Sequence, residues 1–392
     1  MPETIYSTLD SIIYSLTIKI RRLNQNYMRT KSGLPKRKAL KRKPIFQYGF
    51  KDNPSVKNQI NYTLSKSDKI KDYVKVISFF SGCGGLDLGF LGGFTFLNKE
   101  YQSLPYKIVH AYDIDEKATE TYGLNISNDV TTVDLSNLDM RLLPHANILI
   151  GGFPCQDFSS CGLKKGLKGS RGELYNVMKD YMNLHKPEIV VGENVPFLEK
   201  LENGKILRHI INELESVGYT FKVWHIYCPD FGLPQSRSRL FLIGVRSDIL
   251  AFPQPPTPEL FFQYVTIDRA IGDLVEIDDE TIPNQSQYFV ATKATKGAGQ
   301  GDQKSKKGEI AYTVRANMKA RVHFHYLLER RLTVRECARL QSFPDEFVFP
   351  HSASQNMLEI GNAVPPIIGH LIASQIDKFI QAYPEYFEQK TI

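Results

Sequence analysis

"VKVISFFSGCGGLDLGF", residues 74 to 90, decides the architecture. Its first seven positions are β-branched and aromatic with one lysine and one serine among them, the pattern of a strand buried on both faces. Glycines follow at 82, 84 and 85, and then the start of a helix. Such a turn lets backbone approach a ligand closely, and a helix N-terminus favours anionic groups. As a dinucleotide fingerprint the stretch fails, because Gly82 and Gly84 fit G-x-G but the third glycine would fall at Asp87. That argues against a dehydrogenase and leaves open a different adenine-ribose ligand.

Outward from this unit, further strand-like runs are "KIVHAYD" (107 to 113), "NILIGG" (147 to 152), "EIVVGEN" (188 to 194), "FKVWHIY" (221 to 227) and "RLFLIGV" (239 to 245). Helical patterns lie between several of them, at Glu116 to Tyr122, Tyr175 to Leu184 and Lys205 to Val217. Alternation over about 170 residues predicts an α/β fold with a doubly wound sheet. Ligands in such sheets bind outside the carboxyl ends of the strands. The unusual residues follow at once in those places: "SGCGG", "DID", "GGFPC" and "ENVP".

The third of these ends in Cys155. A thiol at a sheet edge is a nucleophile if something lowers its pKa or traps its adduct, and an inert small hydrophobe otherwise. Glu193, Asn194, Arg237 and Arg239 flank strand ends of the same sheet. A thiolate, a carboxylic acid and an arginine together suit attack on C6 of a pyrimidine. The acid protonates N3 and the arginine holds O2, so the ring can absorb the electrons. C5 then becomes nucleophilic enough to take a methyl group from a sulfonium donor. Asp113, closing its strand, is placed to accept hydrogen bonds from ribose hydroxyls, or simply to cap the helix that begins near Ile114.

Five cysteines without a C-x-x-C pair exclude a disulfide framework and a structural zinc site, and His323 with His325 has no nearby third ligand. No metal is expected. No apolar run approaches the roughly 18 to 20 residues that span a bilayer, and no secretory leader begins the chain, so a cytoplasmic location is expected. Charge is uneven: residues 1 to 71 hold 16 Lys and Arg against 4 Asp and Glu, a surplus of +12, which leaves −5 for the rest of a chain whose net charge is +7. The arm around "KSGLPKRKALKRKP" is either solvated or a neutraliser of phosphates. Before it, Ile5, Leu9, Ile12, Ile13, Leu16, Ile20 and Leu23 share one helical face that must rest on the main body or on a partner chain.

Residues 251 to 310 are rich in Pro, Gly, Lys and Gln, and "YFVAT" and "AYTVRANMKARVHFHY" suggest short strands in a small irregular domain. Regular structure resumes at "LTVRECARLQSF", where Thr333 and Glu336 have capping-box spacing. The closing helix in "NAVPPIIGHLIASQIDKFIQAY" carries its prolines in the first turn.

Taken in order, "FFSGCGG", "GGFPCQDFS", "ENVP", "QSRSRLFLIG", "RLTVRECARLQSFPDEF" and "IGNAVPP" closely resemble the motif series of the DNA (cytosine-5) methyltransferases, above all the bacterial restriction-modification enzymes. The resemblance runs from about Val76 to the C-terminus. It implies a Rossmann-like methyltransferase sheet, with a small irregular target-recognition domain inserted before the C-terminal helix. The implied boundaries are 1–72 for the helix and basic arm, 73–250 for the catalytic S-adenosylmethionine-binding domain, 251–330 for target recognition and 331–392 for a segment returning to the catalytic domain.

By the same resemblance Cys155 would attack C6 and Glu193 would protonate N3. Arg239 would hold O2, Arg237 a nearby phosphate or sugar, and Asn194 the thiol loop. Phe80, Ser81, Gly82, Gly84, Asp113, Ile114, Asp134, Leu135, Pro154, Leu174, Asn362 and Ala363 would line the cofactor pocket, with Asp129 the alternative to Asp134 at the adenine. Gln156, Ser159, Arg171 and Gln235 would meet double-stranded DNA, and Pro154 also belongs to the loop that closes over the flipped base. The family usually has glutamate where Asp113 stands, and often has a carboxylate where Ser78 stands. The implied role is the modification half of a type II restriction-modification system, acting as a monomer, although the apolar face of residues 5 to 23 leaves room for a dimer. The tRNA-directed branch carries a Cys-Phe-Thr tripeptide that is absent here. A cysteine hydrolase would need a histidine base that no motif around Cys155 supplies. A catalytically dead relative would be expected to lack Cys155 or Glu193.

Overall fold

The computed structural model describes residues 73–154, 174–258, 263–288, 303–316 and 323–387. The expected N-terminal helix, the basic arm and most of "YFVAT" lie outside the described residues. In chain order the first elements run β1 (Val74–Phe79), α1 (Gly85–Leu91), the hairpin β2 (Phe94–Phe96) and β3 (Lys99–Tyr101), β4 (Tyr106–Asp113) and α2 (Glu116–Asn125). There follow β5 (Val130–Thr132), β6 (Ile148–Gly151), α3 (Tyr175–His185), β7 (Ile189–Asn194), α4 (Lys205–Glu215), β8 (Tyr219–Tyr227), β9 (Gln235–Ser236) and β10 (Ser238–Arg246). All six strands expected from the sequence are present. The short edge strand β5 was not foreseen.

Seven strands form one sheet in the order β5-β4-β1-β6-β7-β10-β8. Neighbours pair in parallel except β10, which runs antiparallel to both β7 and β8. Chain order reverses direction between β1 and β6, which makes the gap beyond their carboxyl ends the switch point where ligands bind. The reversal of β10 has a second effect. It brings the start of that strand, not its end, to the same edge, with Leu240 opposite Asn194 and Phe241 opposite Glu193.

Side chains alternate between two cores, as strand geometry requires. Val76, Ile148, Ile150, Ile189, Val191, Phe241 and Ile243 face one layer, and Ile77, Leu149, Val190, Leu240 and Leu242 face the other. The second layer is closed by α3 and α4 through Tyr181, Met182, Ile206 and Ile210. Each fully buried aliphatic side chain here contributes about 1.5 to 3 kcal/mol by leaving water.

The first layer is closed by residues distant in sequence. After α5 (Ile267–Ile271) and the two-residue strands β11 (Gln303–Lys304), β12 (Ala311–Tyr312) and β13 (His323–Phe324) come α6 (Val334–Leu340), α7 (Ala353–Asn362) and α8 (Pro366–Ala382). Thr333 caps α6 as the spacing predicted: its Oγ1 accepts from Glu336 N at 3.0 Å, and Glu336 Oε2 accepts from Thr333 N at 2.8 Å. Pro366 opens α8 in its first turn. The described part of the expected irregular domain joins this layer, since Ile267, Ile271, Leu274, Ala311 and Val314 are all buried in it. Strand β12 pairs with β9, Ala311 opposite Gln235. Helices α1 and α8 meet at glycines: a Cβ on Gly89 would strike the Gly369 backbone at 2.6 Å. Backbone contact seats the C-terminal helix directly beside the glycine turn after β1. Among the described residues no helix is long and apolar enough to cross a membrane.

Candidate active site

A cavity of about 340 Å³ opens at the switch point. Its walls come from the exits of β1, β4, β6 and β7, from Arg239 at the start of β10, and from the end of α7.

The exit of β1 is a turn of positive-φ backbone, with Phe80 at 54°, Gly82 at 54° and Gly84 at 89°. Gly82 is open on its Cβ side, with no atom within 4 Å, so its backbone faces free space. Gly82 N donates to Asp113 Oδ2 at 2.7 Å, and Asp115 N donates to Asp113 Oδ1 at 2.9 Å. Each carboxylate oxygen thus keeps a further lone pair for the cavity. Burial raises the Asp113 pKa, against the pull of its backbone hydrogen bonds. Helix capping, the other role considered for Asp113, falls to Asp115, which accepts from Lys117 N at 3.0 Å and Ala118 N at 3.4 Å. Beside Asp113, Ile114 lines the cavity with 69% of its surface exposed. A carboxylate with lone pairs to spare and an exposed apolar face are therefore adjacent on the cavity wall.

At the exit of β6, Gly151, Gly152, Phe153 and Pro154 line the cavity. Asn194 is buried and its Nδ2 donates to Phe153 O at 3.0 Å, which fixes the chain one residue before Pro154. Glu193 Oε2 lies 3.2 Å from where a Cβ on Gly152 would stand, so a side chain there would press on the carboxylate. Arg239 Nε lies 2.5 Å from Glu193 Oε1, and both side chains are only 12% exposed. Cys155, Gln156, Ser159 and Arg171 lie outside the described residues.

Other expected site residues divide. Phe80, Ser81, Gly82, Asp113, Ile114, Pro154, Asn362 and Ala363 line the cavity, together with Glu193, Asn194 and Arg239. Gly84, Asp134, Leu135 and Leu174 do not. Gly84 shapes the turn, since a Cβ there would collide with Ile126 and Tyr122. Asp134 caps a short 3-10 turn, accepting from Ser136 N at 3.0 Å and Ser136 Oγ at 2.7 Å, and these bonds lower its pKa. Leu135 is buried in the core. Asp129, the alternative, accepts from Ser127 Oγ at 3.1 Å and is not on the cavity wall either.

Two expectations need correction. Arg237 is 1% exposed, and its guanidinium donates to Val314 O, Gly361 O and Ala363 O at 3.0, 3.1 and 3.0 Å. Those donors are committed to backbone and do not reach toward a phosphate or sugar. Burial, then the neighbouring Arg239, depresses its pKa to about 9. Gln235 is likewise fully buried, donating to Leu340 O and Gln341 Oε1 at 2.6 Å and accepting from Val314 N at 2.9 Å. Its amide is spent on the protein's own chain, so it offers nothing to DNA.

Sequence reading missed two acids on the wall, Asp87 and Glu359. Asp87 accepts from Ser78 Oγ and from Tyr122 Oη, each at 3.0 Å. Glu359 accepts from Thr121 Oγ1 at 2.7 Å and Gln355 Nε2 at 3.1 Å. Burial pushes Asp87 up to about 6 and Glu359 up to about 7. The available signal was a single charge inside an apolar run, "LDLGF" in one case and "MLEIG" in the other.

Residues 74–378 match the family model for C-5 cytosine-specific DNA methylase. The chain is 33% identical to type II methyltransferase M.NgoFVII of Neisseria gonorrhoeae, over 79% of this chain and 86% of that protein. It is also 33% identical to type II methyltransferase M.NlaX of Neisseria lactamica, over 79% of this chain and 97% of the relative. Among solved structures, the S. pombe Dnmt2 methyltransferase superposes with a TM-score of 0.60 at 20% identity, over 78% of this chain and 99% of that one. That likeness speaks for the fold alone.

Proposed function

The chain belongs to the C-5 cytosine-specific DNA methylase family, and from that premise we propose that it is the modification enzyme of a type II restriction system. It methylates C5 of a cytosine rotated out of double-stranded DNA, through a transient bond between Cys155 and C6. S-adenosylmethionine, when bound, supplies an electrophilic methyl group. The cavity suits such a donor: Asp113 for the ribose hydroxyls, Ile114 for the face of the adenine, and Gly82 for close backbone approach.

The chain's own residues divide the remaining work. The Cys155 thiolate adds to C6 while Glu193 passes a proton to N3 and Arg239 holds O2, so the electron pair arrives at C5 as an enamine. After C5 has taken the methyl group, solvent water takes the C5 proton, the C–H electron pair forms the C5–C6 double bond and expels the thiolate, and the N3 proton returns to Glu193. Asn194 fixes the chain that leads into Cys155, through its bond to Phe153 O. Arg237 acts as a positioning residue, holding Gly361 and Ala363 in the wall and Val314 beside them.

We assign residues 73–250 and 331–392 to catalysis, 251–330 to target recognition and the basic arm to DNA phosphates. The observation that carries the reading is the Glu193–Arg239 pair at 2.5 Å, lying against Gly152 three residues before the thiol. The test is incubation of the enzyme and donor with oligonucleotides carrying 5-fluorocytosine at mapped target positions. A cross-link to Cys155, lost in Cys155→Ala with DNA affinity retained, is the expected result. Normal turnover by Cys155→Ala, or a strong preference for tRNA over DNA, would overturn it.

A further inference from the structure

A nucleotide rotated out of a duplex turns about its own two phosphodiester links, so whatever the sequence, those links come to rest on the rim of the cavity that receives the base. The resemblance gives one of them to Arg237, but that guanidinium is spent on Val314, Gly361 and Ala363. The contact is left to another group on the rim.

Burial alternates along residues 235 to 238. Gln235 and Arg237 are buried, and Ser236 and Ser238 are exposed. Next comes Arg239, which lines the cavity and whose Nη1 donates to Ser238 O at 2.8 Å. The exposed face thus ends at the cavity mouth. Strand β12 widens it: Tyr312 stands in register with Ser236 and is 40% exposed, although Ala311 before it and Val314 beyond it are buried. Among the described residues the side-chain hydroxyls of Ser236, Ser238 and Tyr312 have no protein partner. The chain that presents them is, in contrast, held step by step. Ala311 N donates to Pro234 O at 2.9 Å, Thr313 Oγ1 to Ser236 O, and Val314 N to Gln235 Oε1 at 2.9 Å.

Three free donors on a fixed backbone, beside the arginine that would hold the target ring, make a seat for an anion that arrives with that ring. We infer that Ser236, Ser238 and Tyr312 bind the phosphodiester link next to the rotated cytosine through neutral hydroxyls. This inference rests on the proposed DNA-methylating reading of the cavity. It differs from an arginine contact in a measurable way: hydroxyls bring no charge and displace no counterions, so their share of the affinity does not change with salt.

The test is binding of the full-length enzyme to a fluorescent duplex carrying the mapped target site, with S-adenosylhomocysteine present. The triple variant Ser236→Ala, Ser238→Ala, Tyr312→Phe removes the hydroxyls alone. It should bind the duplex about tenfold more weakly, by the same factor at low and at high salt, while its affinity for S-adenosylhomocysteine stays within about twofold of the wild type. A methylphosphonate, which takes the charge from one link, should weaken wild-type binding when placed on one side of the target cytosine, and there the triple variant should lose no more than about twofold further. The inference is overturned by a triple variant that binds as the wild type does, or by a deficit that fades as salt rises. It is equally overturned if the losses from variant and methylphosphonate add in full on both sides of the cytosine. A wild type that binds no duplex removes the DNA reading itself, an outcome told apart from the others because it needs no variant.

Discussion

The two sides of the cavity solve the same electrostatic problem in opposite ways. On one side Glu193 and Arg239 face each other at 2.5 Å, so the carboxyl group has a guanidinium beside it before any ligand arrives. On the other side Asp87, Asp113 and Glu359 line the wall with no arginine or lysine paired to them among the described residues. The paired side is built where β10 reverses against β7, so its geometry is set by sheet hydrogen bonds. The acidic side is assembled from β1, α1, β4 and α7, and its buried carboxyls are eased by raised pKa values instead of by a counter-charge. One side relies on a partner charge; the other relies on protons.

The largest effect that would sharpen this contrast is on rate. Glu193→Gln should lower single-turnover methyl transfer by about 10² to 10⁴-fold, the usual weight of a positioned acid, while leaving S-adenosylhomocysteine affinity within about twofold. Affinity falling in step with rate would mean the two sides are not separable.

Next in size is a stability difference between two arginines two residues apart, Arg237 just before β10 and Arg239 within it. Arg237→Met strands the Val314 and Gly361 carbonyls, while Ala363 O keeps its bond from Gln341 Nε2, and should cost about 3 kcal/mol in denaturant unfolding, whereas Arg239→Met should cost about 1 kcal/mol or less yet abolish turnover. Equal losses of stability would place Arg239 in the same structural class as Arg237.

A smaller effect is expected from pH. Asp87 rises from an ordinary 3.8 to about 6 and Glu359 from 4.5 to about 7, so the folded chain holds these protons more tightly than the unfolded one. Their contribution to stability is therefore full below about pH 4 and is lost as pH climbs through 6 and 7. Without donor the melting temperature should fall over that interval, by roughly 2 to 4 °C for each kcal/mol lost. The double variant Asp87→Asn, Glu359→Gln should flatten the decline. An identical slope in the double variant and the wild type would break the comparison. The smallest change belongs to a control: removal of residues 1 to 60 should leave both sides of the cavity untouched and reduce only the salt dependence of DNA binding.

How far the site could be read from sequence depended on distance along the chain. Glu193, Asp113 and Pro154 stand at strand exits, and a strand exit is visible in a local pattern. Arg237 and Gln235 share a motif with Arg239, yet their partners at Val314, Leu340 and Gly361 lie 77 to 124 residues away. Nothing local distinguishes a guanidinium aimed at solvent from one clamped on carbonyls. Asp87 was conspicuous as a charge among leucines, but its partner Tyr122 is 35 residues on, and Glu359 meets Thr121 across 238. Strand β5 escaped notice because three residues, two of them exposed, are too few to show a period. The thirteen-residue span from Phe79 to Leu91, in contrast, announced its strand, turn and helix outright, because glycine spacing is a local property.

The contact between Gly89 and Gly369 carries a consequence for biosynthesis. A protein is made from its N-terminus, so the glycine turn emerges well before the helix that abuts it and the Asn362–Ala363 wall, about 280 residues further along the chain. Until those residues are made, a nascent chain of this enzyme holds half a pocket. A chain broken off short of Asn362 should therefore carry no partial activity.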